Sequence, residues 1–158
     1  MSLFRAPTAR QLDISLAILR VIVGGVFLAH GGQKLFVYGL GGVTFAFDQM
    51  GIPLPGLLGP AVAVLEFFGG LALVVGLLTR PAALGLLFNM LGAIVFVHAK
   101  TGFFLPNGSE FALSLVGSSA LLVLAGAGNF SLDALIARRG SANAAGARGE
   151  PSLGGQAA

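Results

Sequence analysis

Any chemistry in this chain has to begin with Glu66, which lies in the middle of an apolar run from about Leu57 to Leu78. A charge at the centre of a bilayer costs at least about 2.5–3.5 kcal/mol on insertion scales, so it is expected inside a helix bundle and paired. Arg20 stands roughly two turns inside a first apolar run, with a side chain long enough to reach deeper. Asn89 lies at similar depth in a third run. The simplest arrangement is a buried Arg20–Glu66 ion pair with Asn89 as a further hydrogen-bonding group. Such a pair serves one of two ends: it fixes helix register, or Glu66 carries a proton or holds the polar head of a ligand.

A second polar set gathers toward the opposite end: His30, Gln33, Lys34, His98, Lys100 and Glu110. His30 shares the angular sector of Arg20 and Lys34 and can face the bundle, whereas a regular helix turns His98 almost opposite to Asn89. The candidate ligand-binding residues are therefore Glu66, His30, Arg20, Asn89, Lys34 and Glu110. Lys34, Lys100 and Glu110 also read as ordinary interfacial residues reaching for water. No HExxH, no paired ExxH and no dense carboxylate cluster is present, so no metal or haem site is expected. The absence of cysteine excludes disulfides, thiolate metal sites and cysteine-ligated clusters within this chain.

The elements that carry these groups follow from composition. Apolar residues make up 56% of the 158-residue chain and charged residues 9%, against about 25% charged in soluble domains. So few charges cannot cover a water-facing surface, but a lipid-facing one needs none. Four spans are expected, at about 14–36, 57–78, 82–100 and 110–127, in an all-α integral membrane four-helix bundle over residues 14–129. Residues 1–13 form an N-terminal segment, 130–139 a candidate interfacial helix with Arg138 and Arg139 near lipid phosphates, and 140–158 a disordered tail rich in Gly, Ala and Ser. Gly39, Gly41 and Gly42 with Pro53, Pro55 and Gly56 mark a long first connection, and Ser109 is placed to cap the last span.

Arg5, Arg10, Arg80, Arg138, Arg139 and Arg148 fall on one side and only Lys34 and Lys100 on the other, so both termini are expected in the cytoplasm. The net charge of +3 does not point to nucleic acid, because the basic residues are spread singly between apolar runs. Arg20 interrupts the first run and no small-x-small site closes it, so it is expected to stay as a span and not to be cleaved as a signal peptide. Helices in lipid pack through small residues. The faces that offer them are Arg20, Gly24, Phe27, Gly31 and Lys34 on the first span, and Gly59, Ala63, Glu66, Gly70 and Leu73 on the second. The third offers Ala82, Gly85, Asn89, Ala93 and Phe96, and the fourth Glu110, Ser114, Gly117 and Leu121.

Leu19-Arg20 with Gly24 and the run Phe27-Leu28-Ala29-His30-Gly31-Gly32-Gln33-Lys34-Leu35-Phe36 resembles the first helix of the DoxX family. Glu66-Phe67-Phe68-Gly69-Gly70-Leu71-Ala72-Leu73, followed by Gly76-Leu77-Leu78-Thr79-Arg80-Pro81-Ala82-Ala83, resembles its second helix and cytoplasmic turn, and Asn107-Gly108-Ser109-Glu110-Phe111 the opening of its last helix. The resemblance implies a compact four-helix, multi-pass protein of a bacterial inner membrane and points to Arg20, His30, Lys34, Glu66 and Glu110. The family takes its name from a subunit associated with thiosulfate:quinone oxidoreduction. It therefore implies a quinone-linked redox component or a membrane subunit of an oxidoreductase system, with a quinone as cofactor. No residue here is an obvious redox centre, so electrons are expected from a partner protein or another cofactor. An assembly or anchoring subunit of a membrane complex is the alternative, and a small transporter, built as a homo-oligomer, the third reading.

Overall fold

The computed structural model describes residues 6–148, with side chains through Ser141. Helix α1, Ala9–Gly32, opens on a reciprocal cap: the Gln11 backbone N–H donates to Thr8 Oγ1, and the Thr8 N–H donates to the Gln11 side chain at 2.8 Å. It passes into a π-helical turn, Gln33–Tyr38, and then into α2, Gly39–Gln49. The φ of +68° at Gly39 breaks the path between them. α3 spans Pro55–Val75, with a proline in its first turn and a left-handed Gly76 as its stop. α4, Thr79–Ala93, ends in a second π-helical turn, Ile94–His98, and α5 and α6 are Glu110–Ala125 and Leu132–Arg148.

Three helical stretches are long and apolar enough to cross a membrane: Ala9–Gln49, Pro55–Val75 and Thr79–His98. The 16 residues of α5 are apolar but rise only about 24 Å, short of a ~30 Å hydrocarbon core. At its outer end the exposed side chains of Phe103, Phe104 and Leu105 extend the apolar surface beyond the helix. Among the described residues the chain is all-helical, and it forms a membrane helical bundle. Asp13 near the start of α1 accepts hydrogen bonds from Asn129 beyond α5, so both ends of the described chain meet on one side. Arg10, Arg80, Arg138 and Arg139 lie on that side, which the positive-inside rule makes cytoplasmic.

α1 and α3 form the tightest pair. A Cβ on Gly31 would lie 2.2 Å from the Phe67 backbone nitrogen, and one on Gly70 would lie 2.4 Å from that of Leu28. The buried residues Arg20, Gly24, Phe27 and Gly31 of α1, and Gly59, Ala63, Glu66, Gly70 and Leu73 of α3, are the expected inner faces. On α4 the expected Ala82, Gly85, Asn89 and Ala93 also turn inward, toward the core, Leu65, Glu66 and the bundle interior, whereas the face of α5 is displaced. α4 buries Thr79, Ala83 and Leu86, and α5 buries Ala112, Leu115, Ser119 and Leu122. Ser114 and Ser118 instead return their hydroxyls to the carbonyls of Glu110 and Ser114 and face outward. A small polar residue that satisfies itself this way loses its reason to face a neighbouring helix.

The first connection is also shorter than expected. Gly39, Gly41 and Gly42 are helical, because Val43 and Phe47 gain contacts against α3 and the bundle interior that outweigh about 1 kcal/mol per glycine. Ser109 occupies the cap position of α5 without making a side-chain cap. α6 runs past Arg139 to Arg148, so the expected disordered tail holds helix over residues 140–148. Residues 149–158 lie outside the described ones.

Asp133 fastens α6 to the bundle. Its carboxylate accepts the free N–H groups of Leu78 and Thr79 at the start of α4, at 2.8 and 3.0 Å, and its own N–H donates to Gly76. Burial works against the charge. The hydrogen bonds from Thr79 and Leu78, helped by the Arg20 field, outweigh it and hold the carboxyl below the ordinary carboxylate range. A carboxylate depressed in the folded state contributes stability above its unfolded pKa, and that contribution is lost as pH falls through the folded value. Protection of the amides of residues 128–140, measured against the intrinsic exchange rate at each pH, is therefore expected to fall on acidification below pH ~4. The Asp133→Asn variant is expected to exchange fast already at neutral pH, and equal protection in both proteins would overturn this role.

Candidate ligand cavity

Between the outer halves of α1, α3, α4 and α5, and beneath α2, lies a cavity of about 510 Å³. Its wall is mostly apolar: Val26 and Phe27 from α1, Phe47 and Met50 at the end of α2, Phe88 and Met90 from α4, Phe111 and Leu115 from α5. The polar groups that enter it are Glu66, Lys34, Asn89, His30 and His98.

Glu66 is at their centre. Its side chain is 4% exposed and its two oxygens have different partners: Oε2 pairs with the Lys34 ammonium, and Oε1 accepts from Asn89 Nδ2 at 2.9 Å. Glu66 reaches Lys34 because Gly31 lets α1 press against the α3 backbone at residues 66–67, one turn below. Lys34 is 22% exposed, on the cavity side of the pair. An ammonium has three N–H donors and a carboxamide two. Lys34 and Asn89 each spend one on Glu66, so both keep donors for a ligand oxygen in the cavity.

Arg20 takes no part. The expected Arg20–Glu66 pair does not form: Arg20 Nη2 donates to the Phe130 carbonyl at 2.7 Å, and the guanidinium lies over Gly76. That is ten residues, or about 15 Å, along α3 from Glu66. Lys34, in the π turn two residues beyond the end of α1, takes the place that Arg20 was expected to fill. Glu110 is also elsewhere. Its Oε1 accepts the Leu105 N–H at 2.8 Å and shapes the loop before α5.

His98 moves the other way. The turn Ile94–His98 closes i to i+5 hydrogen bonds and takes up about one extra residue, so side chains beyond it lag by roughly 100°. His98 is thereby swung from the face opposite Asn89 to the cavity. Its Nδ1 donates to the Asn107 carbonyl at 2.9 Å, which leaves Nε2 as the acceptor in the neutral ring. The only trace of this in the sequence is the bulky run Ile94-Val95-Phe96-Val97, which does not by itself announce a π turn. Among the described residues no three His, Asp or Glu side chains gather as a metal site.

The DoxX family model matches residues 15–99, which carry all five polar cavity groups and the glycines of the close α1–α3 contact. The chain belongs to the DoxX family. Among its relatives, the "Uncharacterized membrane protein Rv3486" of Mycobacterium tuberculosis is 34% identical over 145 residues, covering 85% of this chain and 87% of the relative. The "Putative oxidoreductase CatD" of Bacillus subtilis is 31% identical, covering 80% and 90%. The "Inner membrane protein YqjF" of Escherichia coli is also 31% identical, covering 80% and 95%. No solved structure matches. Of the polar cavity groups His98 lies nearest the end of the family match, at its last but one residue.

Proposed function

We propose that this DoxX protein is a quinone-linked redox component of a bacterial inner membrane, holding the quinone head in the cavity beside Glu66. The observation that carries the reading is an apolar cavity of about 510 Å³ with one compact polar group at its wall, Lys34–Glu66–Asn89. That pairing of a greasy body with a few fixed donors suits a ligand with an apolar ring and tail and carbonyl oxygens. Lys34 and Asn89 would donate to one carbonyl. A ring N–H of His30 would donate to the other, and the acceptor Nε2 of His98 would take the proton of a quinol hydroxyl when the reduced ligand is reoxidised. A bound quinone would supply the two-electron chemistry, and a partner protein or a second cofactor would deliver the electrons. The oxidoreductase in the name of the CatD relative and the inner membrane in that of YqjF favour the same reading.

The test is to purify the protein in mild detergent, identify copurifying small molecules by mass spectrometry, and titrate quinone into the stripped protein. A bound quinone is expected. Replacing Glu66 by Gln or His30 by Ala removes a charge-assisted or polar contact worth about 1.5–3 kcal/mol, so affinity is expected to fall roughly 10- to 150-fold. A wild-type protein that takes up no quinone, or variants that bind it unchanged, would overturn the proposal.

A further inference from the structure

The polar groups of the bundle fall into two sets with a dry layer between them. On the outer side are the cavity residues, ending in His98 next to the loop that contains Asn107. On the terminus side are Arg20, Thr79 and Asp133, around Gly76 and the Phe130 carbonyl. Between the two sets lie Phe27, Leu73, Ala83, Leu86 and Leu122, each 0–1% exposed and packed in one cluster, with a lone polar group, the buried hydroxyl of Ser119, a turn before Leu122. The layer has no slack where α3 meets α1 or where it meets α4. A Cβ on Gly24 would come within 2.7 Å of the Gly70 carbonyl oxygen, and one on Gly69 within 3.3 Å of Leu86. A void able to pass water needs room and polar partners, and these five side chains offer neither.

We propose that the cavity is a one-sided vestibule, exchanging water and protons only with the compartment opposite the termini. This rests on the cavity being the ligand site, and it adds the side from which that ligand's protons come. A ligand reduced beside Glu66 would take its protons from that compartment, and one oxidised there would release them to it. The Phe27–Leu73–Leu86 layer keeps the cytoplasmic side out.

The chain has no cysteine, so single-cysteine variants need no prior removal of thiols. Ala93→Cys and Ala112→Cys place a thiol on the cavity wall, and Ala83→Cys places one in the dry layer. Each is treated with a charged, membrane-impermeant methanethiosulfonate, in right-side-out spheroplasts and in inverted vesicles, without added quinone. Arg138→Cys marks the terminus side. The expected result is that both cavity thiols react at least tenfold faster in spheroplasts, that Arg138→Cys reacts only in inverted vesicles, and that Ala83→Cys reacts in neither. Reaction of Ala93→Cys or Ala112→Cys from the terminus side would overturn the proposal, as would cavity thiols inert from both sides. Those two variants decide the matter even if Ala83→Cys does not fold. Because the labelling involves no quinone, a negative quinone titration leaves its outcome standing.

Discussion

Gly31→Ala is expected to force α1 away from α3 and to lower the thermal midpoint in detergent by about 6–12 °C. The added Cβ would sit 2.2 Å from the backbone nitrogen of Phe67 and 2.6 Å from its Cα. Backbone cannot step aside as a side-chain tip can, so the helix axes must part. The cost is expected to reach the ~3 kcal/mol upper end of ordinary overpacking. For a chain of this size, each kcal/mol moves the midpoint by about 2–4 °C. Gly25, six residues earlier on the same helix, has nothing within 4 Å of its Cβ position, so Gly25→Ala is the matched control and should not lower the midpoint, helix propensity raising it by up to about 4 °C. Circular dichroism melts would show this, and equal melts for the two variants would mean that α1 and α3 are not in close backbone contact. Because Lys34 reaches Glu66 only across this contact, Gly31→Ala is also expected to reduce ligand binding in the cavity.

The second large effect concerns the Lys34–Glu66 pair. Removing one partner of a buried pair leaves the other charge uncompensated and costs about 3–5 kcal/mol. Lys34 is 22% exposed and can turn toward water, so Glu66→Gln is expected at or below the low end of that range, about 2–3 kcal/mol. The double variant Lys34→Met with Glu66→Met removes both charges and fills similar volume, and it is expected to recover most of the lost stability. It also removes the donors and the carboxylate from the cavity wall, so quinone affinity should stay lost. Thermal melts and quinone titrations on the same three proteins check both halves. If the double variant binds quinone normally, the pair serves helix register alone. If it is less stable than Glu66→Gln, the pair is a net source of stability.

The membrane class, the apolar stretches and the inner faces of α1 and α3 were legible because glycines and charges at helical spacing leave few alternatives in lipid. Glu66 and Asn89 were found as partners for the same reason. The identity of the cation was not, because Arg20 and Lys34 lie on one face of α1 and only the depth of the α1–α3 contact decides between them. That depth is set by which glycine meets which backbone, a tertiary fact. On α4 the expected face holds, with Gly85 against Leu65, Asn89 on Glu66 and Ala93 in the cavity wall. On α5 it was misplaced: Ser114 and Ser118 are paired within their own helix, while Ala112, Leu115, Ser119 and Leu122 are buried. Glu110 was assigned to a ligand site by its charge and position, although a nearby loop N–H was enough to engage it.

The turn at Ile94–His98 amounts to one residue inserted into a helix that would otherwise run on regularly. A chain one residue shorter in this stretch, running as a regular helix, would hold its histidine eight residues and about 80° from Asn89, on the same cavity face. A chain of the present length without the π turn would instead turn His98 about 180° away. Two DoxX proteins that differ by one residue here can therefore present the same cavity, one through a π turn and the other through a plain helix.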